Sequence, residues 1–353
     1  MAIFNLENFN INEGETTDIM AAIKERFNNK PLITSIHRVI TGLKYNELIP
    51  FIGIMPDSGV CQDDCETTDS SAAIAWTNKR WTPKDVGDKY KICPKDYRAI
   101  LNTVRDRLTK EGIWNPEGSE EMQIVEDRAL DAMIGYIFRF TWFGDVDANT
   151  FGTGYGTLTP GTNITLFNCV DGLWKQMFAA VTAGTLARVE IAENDEATKA
   201  AQIVLDPETA FKTMKAMYNA ADPRLFDQSG VQFLVTRSLA LNYLDYLETN
   251  GMENGILPLN GQLYAPNSFR GIPIVVMNEW DRLIRKYYDN GTTYDLPHRA
   301  VLTSPDNIPV GFVEDDMMYL KSWFSNDDEA AYIKIRNEFD AKLLEEYAAV
   351  VAY

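Results

Sequence analysis

The 353-residue chain has only two histidines, four cysteines and no apolar run of eighteen residues or more. Without such a run there is no membrane-spanning helix. Four cysteines in a chain this long do not build a disulfide scaffold. Cationic side chains are also scarce, with 33 Lys and Arg against 51 Asp and Glu and a formal charge of −18. Phosphate binding needs clustered Lys and Arg, so a general polyanion binder is excluded. Residues 1–8 lack a basic stretch followed by an apolar one, so no secretory leader is expected and synthesis in a cytosol is the default.

Catalytic signatures are missing in the same way. His37 and His298 are the only histidines, and no Gly-x-Ser-x-Gly turn or Gly-Lys-Ser/Thr loop is present. Gly152, Gly154 and Gly156 alternate like part of a dinucleotide loop, but Thr157-Leu-Thr-Pro-Gly161 follows and cannot open the required helix, so a flexible loop is expected. Cys61 and Cys65, with Cys93 and Asp63 or His37, offer metal-ligand atoms without the second close pair that zinc sites use, and free thiols are expected. The acid pairs Asp63/Asp64, Asp315/Asp316 and Asp327/Asp328 sit in charge runs and read as solvated faces, with Mg²⁺ or Ca²⁺ binding as the alternative. No cofactor, metal or catalytic residue is assigned.

What is present is a folding composition, 45% apolar and 24% charged. The first fifty residues read as an arm, with a helix over 17–27 and an extended segment over 31–42. Between Trp76 and Arg98 the charge inverts, with seven Lys and Arg against three Asp. Strands at 73–76 and 89–93 around Pro83 and Gly87 predict a basic hairpin suited to an acidic surface. A short helix follows over 97–110. Ser119 then caps a long helix with Met122, Val125, Ala129, Met133, Ile137 and Phe140 on one stripe. Asp206, Pro207 and Glu208 start a later helix. The stretch 231–311 is strand (231–235), helix (236–250), Asn-Gly turns, strand (272–276) and strand (300–303), with no chemistry of its own. Alternation in Tyr332-Ile-Lys-Ile-Arg336 predicts a half-buried strand, and 348–352 predicts a last one.

This order of parts resembles the tailed-bacteriophage major capsid proteins of the Hong-Kong-97-type fold. The likeness covers most of the chain and is one of pattern: arm, extended hairpin, spine helix, the Phe143-Gly-Asp145 and Asp171-Gly-Leu-Trp174 segments, and the Gly271-Ile-Pro-Ile-Val-Val276 strand. It implies an α+β fold with an N-terminal arm (1–57), an extended loop (58–98), a peripheral domain (99–200 and 313–353, spine helix 119–142) and an axial domain (201–312). It also implies a non-enzymatic subunit that self-assembles, as pentamers and hexamers, into an icosahedral head enclosing double-stranded DNA.

The expected contacts between copies pair the basic hairpin (Lys79, Arg80, Trp81, Lys84, Lys89 and Lys91) with the acids Asp315, Asp316, Asp327 and Asp328. Further implied partners are a portal, a separate scaffolding protein and decoration proteins. Packaged DNA would be touched weakly and non-specifically, and no membrane is involved. The location implied is the virion, after assembly in the host cytoplasm. The alternatives are an encapsulin-like compartment shell around a cargo enzyme and a soluble metal-dependent enzyme.

Overall fold

The computed structural model describes residues 36–49, 79–92, 120–149, 157–250, 256–259, 262–266, 268–314, 319–325 and 330–353. The expected helices at 17–27 and 97–110, the strand at 73–76, Cys61, Cys65, Cys93 and the glycines at 152–156 lie outside them. In chain order the strands are β1 (Val39–Ile40), β2 (Lys84–Ile92), β3 (Ala187–Val189), β4 (Gln232–Val235), β5 (Ile256–Leu259), β6 (Gln262–Pro266) and β7 (Ser268–Phe269). They continue as β8 (Ile272–Val276), β9 (Ala300–Thr303), β10 (Val310–Phe312), β11 (Tyr319–Ser325), β12 (Ala330–Ala341) and β13 (Ala349–Ala352). The helices are α1 (Glu120–Phe143), α2 (Leu173–Thr182), α3 (Lys199–Ile203), α4 (Thr209–Ala220), α5 (Arg237–Thr249) and α6 (Asn278–Tyr287).

The strands form two main sheets. One is centred on β12, which carries β2 on one edge and β11 and β10 on the other, with β1 parallel to β10. The second runs β3-β13-β9-β4-β8-β7. The expected alternation in β12 holds and extends beyond Arg336: Ile333, Ile335, Asn337, Phe339 and Ala341 are buried on the inner face.

One expectation about a strand is corrected. Gly87 is not a turn but lies inside β2, opposite Arg336, where a Cβ would sit 2.5 Å from the Ile335 carbonyl oxygen. The glycine makes room for the partner strand rather than for a change of direction. Within 313–353 the strands divide between the sheets. β12 stays with β2 and β11, whereas the fully buried β13 inserts between β3 and β9.

The second half of α1 departs from a single stripe. Met133, Ile137 and Phe140 are buried as expected, but so are Ile134, Tyr136, Phe138, Trp142 and Phe143. A helix apolar on all sides is enclosed on all sides. Trp142 meets Trp280 edge-on with ring centroids 4.6 Å apart, and Trp280 meets Trp174 at 5.1 Å. The buried guanidinium of Arg299 lies 5.0 Å from the Trp174 ring and donates Nε–H to the Leu296 carbonyl at 2.9 Å. Arginine suits such a place because its planar, weakly hydrated cation stacks on aromatic faces.

The end of α1 meets the start of α2 at two glycines. The Gly172 N–H donates to the Gly144 carbonyl at 2.8 Å. Lys175 spans the same junction, its ammonium 2.5 Å from Asp145, 2.7 Å from Asp147 and 2.9 Å from Asp171. The Phe143-Gly-Asp145 and Asp171-Gly-Leu-Trp174 segments, separate in sequence, are therefore one contact.

The chain enters this core through His37. Its Nδ1–H donates to the Ile308 carbonyl at 2.8 Å, and its Nε2 accepts the Trp142 indole N–H at 3.1 Å. Both ring nitrogens are engaged, so His37 is not a metal ligand. Burial lowers its pKa from 6.5 to about 4. A histidine held neutral in the fold binds no proton in the window where the unfolded chain does, so stability falls as pH drops from about 6.5 towards 4. At pH 4.5 the loss relative to pH 7 is roughly 2–3 kcal/mol. Asp281, raised by burial to about 6, acts in the opposite sense, favouring the fold as pH falls through that value. The parent is therefore expected to lose roughly 2–3 kcal/mol more than His37→Gln between pH 7 and 4.5, measured by urea denaturation. A parent–variant difference that stays constant with pH would contradict this account.

Candidate assembly surfaces

The alternation of β2 decides where its lysines stand. Val86 is buried and Tyr90 packs against the main core, so the even-numbered positions share the face turned towards α1. Lys89 and Lys91 belong to the other face. There Lys89 pairs in register with Lys334 and Lys91 with Tyr332. The Lys89 ammonium lies 4.3 Å from the centre of the Tyr332 ring and that of Lys91 lies 5.6 Å away, a cation–π arrangement. On the far edge of β12, Lys321 pairs in backbone register with Lys334. Lysines therefore occupy three adjacent strands in one row, an arrangement that opposes sheet formation unless anions compensate. Lower on the same face Arg336 pairs with Asp85 at 2.7 Å and Glu338 at 3.1 Å.

The remaining expected contact residues separate. Lys84 is exposed but stands at the opposite end of β2 and has the parity of the inward positions. Arg80 is exposed and donates to the Asn46 carbonyl at 3.2 Å. Lys79 is committed internally: its ammonium donates to the carbonyls of Leu343 at 2.9 Å and Leu344 at 2.8 Å and pairs with Glu346 at 3.3 Å. Trp81 is 2% exposed and packs with Leu43 and Ile49. Lys79 and Trp81 therefore tie 79–81 to residues 43–49 and 343–346 of their own chain. Asp315, Asp316, Asp327 and Asp328 lie outside the described residues.

A second surface, not anticipated from sequence, lies beside the six-stranded sheet. The end of α3, the first half of α5 and the outer side of α6 enclose a groove of about 930 Å³. Ile203, Val204 and Leu241 line it at 55%, 70% and 37% exposure. Trp280, Leu283 and Ile284 turn α6 inward, which leaves Arg282, Arg285 and Lys286 outward. Asp281 points to the floor, where a carboxylate oxygen accepts the Arg237 N–H at 2.8 Å and caps α5. Ser238 donates to His298 Nδ1 at 2.6 Å, and His298 Nε2–H donates to the Gln202 carbonyl at 2.6 Å. Burial lowers the His298 pKa, and the hydrogen bonds tie α3, α5 and the start of β9 together. The signal for this surface in the sequence was the run Arg282, Arg285, Lys286 in an acidic chain. Among the described residues no group of three or more His, Cys, Asp or Glu side chains is placed to hold a metal ion. Among them, too, no helix is long and apolar enough to cross a membrane.

No protein-family model and no curated protein matches the sequence. Solved structures do match. A chain of the satellite phage P4 procapsid including size determination (Sid) protein aligns over 96% of this chain and 98% of its own, at 11% identity and a TM-score of 0.54. A chain of Gordonia phage Cozz aligns over 91% and 85%, at 13% identity and 0.52. A chain from the capsid of a native GTA particle aligns over 90% and 88%, at 9% identity and 0.50. The mixed helix-and-sheet architecture is thus the capsid-protein fold of these structures.

Proposed function

We propose that the chain is a major capsid protein, a structural subunit that assembles with copies of itself into an icosahedral phage head around double-stranded DNA. The observation that carries this reading is the likeness to a procapsid chain over 96% of this chain and 98% of the other. Two features of the chain itself support it. The lysine row on β2 and β12 suits an acidic surface, and an excess of eighteen negative charges per copy supplies such surface on every neighbour. Head-to-tail contacts of this kind close into rings and shells.

In this reading the β12 sheet with α1 is the peripheral unit. The six-stranded sheet is the axial unit, which takes in 187–189 and 349–352 and gives up β10 (310–312) to the β12 sheet. Basic residues are too few for tight DNA packing contacts, so interior contact with DNA is weak and non-specific. A portal, a scaffolding protein and decoration proteins are partners the resemblance implies, with assembly in the host cytoplasm and the virion as destination. In this reading the chain acts as a structural subunit rather than as an enzyme.

Electron microscopy of the expressed protein tests the proposal. Closed shells are expected, and in infected cells they are expected to protect DNA from nuclease. Monomers under all solution conditions would refute the shell, and shells that co-purify with an enzyme instead of DNA would convert the reading to a cargo compartment.

A further inference from the structure

The groove between α3, α5 and α6 is not accounted for by the fold or by the lysine row. We propose that it docks an acidic segment of a second copy of this chain, whose apolar side chains cover Ile203, Val204 and Leu241. The inference rests on the shell reading and assigns it one specific contact.

Two observations carry it. The first is the apolar lining. Three of the seven exposed large apolar side chains among the described residues face one groove, two of them more than half exposed. A contiguous apolar patch rimmed by polar residues is the usual form of a protein contact.

The second is charge. Arg282 is held by Glu279 at 2.5 Å, but Arg237, Arg285 and Lys286 rim the groove against Asp245, while Asp281 is turned to the floor and used by the α5 cap. A local cationic surplus on so acidic a chain matches the surplus carried by its own copies. Two copies at −18 each repel unless such patches meet acidic ones. Nucleic acid would use the rim but leave the aliphatic floor uncovered, because phosphate contacts are polar. A segment that is both acidic and apolar satisfies both halves of the groove.

The test uses full-length protein. Assemblies are formed from an equal mixture of ¹⁴N- and ¹⁵N-labelled copies and treated with a carbodiimide, which joins amines to adjacent carboxylates. Mixed-isotope peptides linking Lys286 to an Asp or Glu of another copy are expected. Leu241→Glu is expected to remove that link and lower the assembled fraction about tenfold or more, because a carboxylate would enter an apolar contact. Its thermal unfolding should match the parent, since Leu241 is partly exposed and packs on no core cluster. Lys286→Arg should lose the link yet assemble. The inference is overturned if Lys286 links form only within one copy, or if Leu241→Glu assembles like the parent. It is equally overturned if Arg285→Glu abolishes DNA retention while assembly is unaffected. Shells in the microscope together with any of these results would defeat the groove contact alone. Absence of shells from the parent would defeat the shell reading and this inference with it.

Discussion

Gly172→Val is expected to leave no folded protein at 37 °C. A Cβ at position 172 would lie 2.6 Å from the Gly144 nitrogen, 2.8 Å from the Phe140 oxygen and 2.9 Å from the Trp142 carbonyl carbon. All three are backbone atoms, which cannot rotate away as a side-chain tip can. The dihedral angles at Gly172, φ −71° and ψ 170°, are open to any residue, so the requirement is space and not conformation. Relief would need the end of α1 to withdraw from the start of α2. That motion would separate Trp142 from Trp174 and pull Asp145 and Asp171 apart around Lys175.

Overpacking against yielding neighbours costs about 1–3 kcal/mol. A collision with fixed backbone at the meeting of two helices belongs to the exceptional class above about 4 kcal/mol, against a total stability of about 5–15 kcal/mol. Gly135→Ala is the control. It lies within α1, nothing stands within 4 Å of its Cβ position, and the change should be neutral or stabilising by about 0.5–1 kcal/mol. Soluble yield and urea midpoints decide the matter, and a Gly172→Val protein that unfolds with the parent would show the junction to be soft.

Elements made by local signals were legible from sequence. The expected strand at 231–235 and helix at 236–250 are β4 and α5, with Thr236 and Asn250 as the flanking caps. The strand at 272–276 is β8, entered through Gly271 at φ 82°. The helix after Asp206 starts a little later than its N-cap signal indicated. Glu208 stands at the cap, while the Asp206 carbonyl accepts the Thr209 N–H at 3.1 Å and the Asn242 amide at 2.7 Å.

Features decided by distant residues were not legible. Gly87 looked like a turn because its reason, the Ile335 carbonyl, is nearly 250 positions away. Trp81 and Lys79 looked like offered groups because Leu43, Ile49 and the 343–346 backbone that absorb them are equally remote. Nothing within 349–352 says which sheet will bury it. The groove is the extreme case, since 203–205, 237–245 and 278–286 acquire a shared meaning only when the fold brings them together.

The triple variant Lys89→Glu, Lys91→Glu, Lys334→Glu is expected to fold and to form essentially no particles. These positions share the face of β2 and β12 turned away from α1, so the buried residues Val86, Ile333 and Ile335 keep their contacts. The variant loses the stack on Tyr332, and carboxylates at 89 and 334 repel as the ammonium groups did, so thermal stability should fall by no more than about 0.5–1 kcal/mol. Between copies the consequence is of another order. A face suited to acidic neighbours becomes a repulsive one, each contact is repeated around every ring, and like-charge juxtaposition costs several kcal/mol.

Salt shortens the reach of both attraction and repulsion to about 8–10 Å near physiological strength, so the deficit should be greatest at low salt and partly recover at high salt. Lys84→Glu separates position from mere net charge. Lys84 is at the far end of the strand with the opposite parity, and its reversal should leave particle yield nearly unchanged. Lys79→Met would fail differently, by loosening the 343–346 segment and lowering stability before assembly is reached. Sedimentation and negative-stain counts, with circular dichroism melts as the folding check, distinguish these outcomes. Particles from the triple variant at the parental yield would remove this face from the assembly contacts and transfer the burden of cohesion to the groove beside α6.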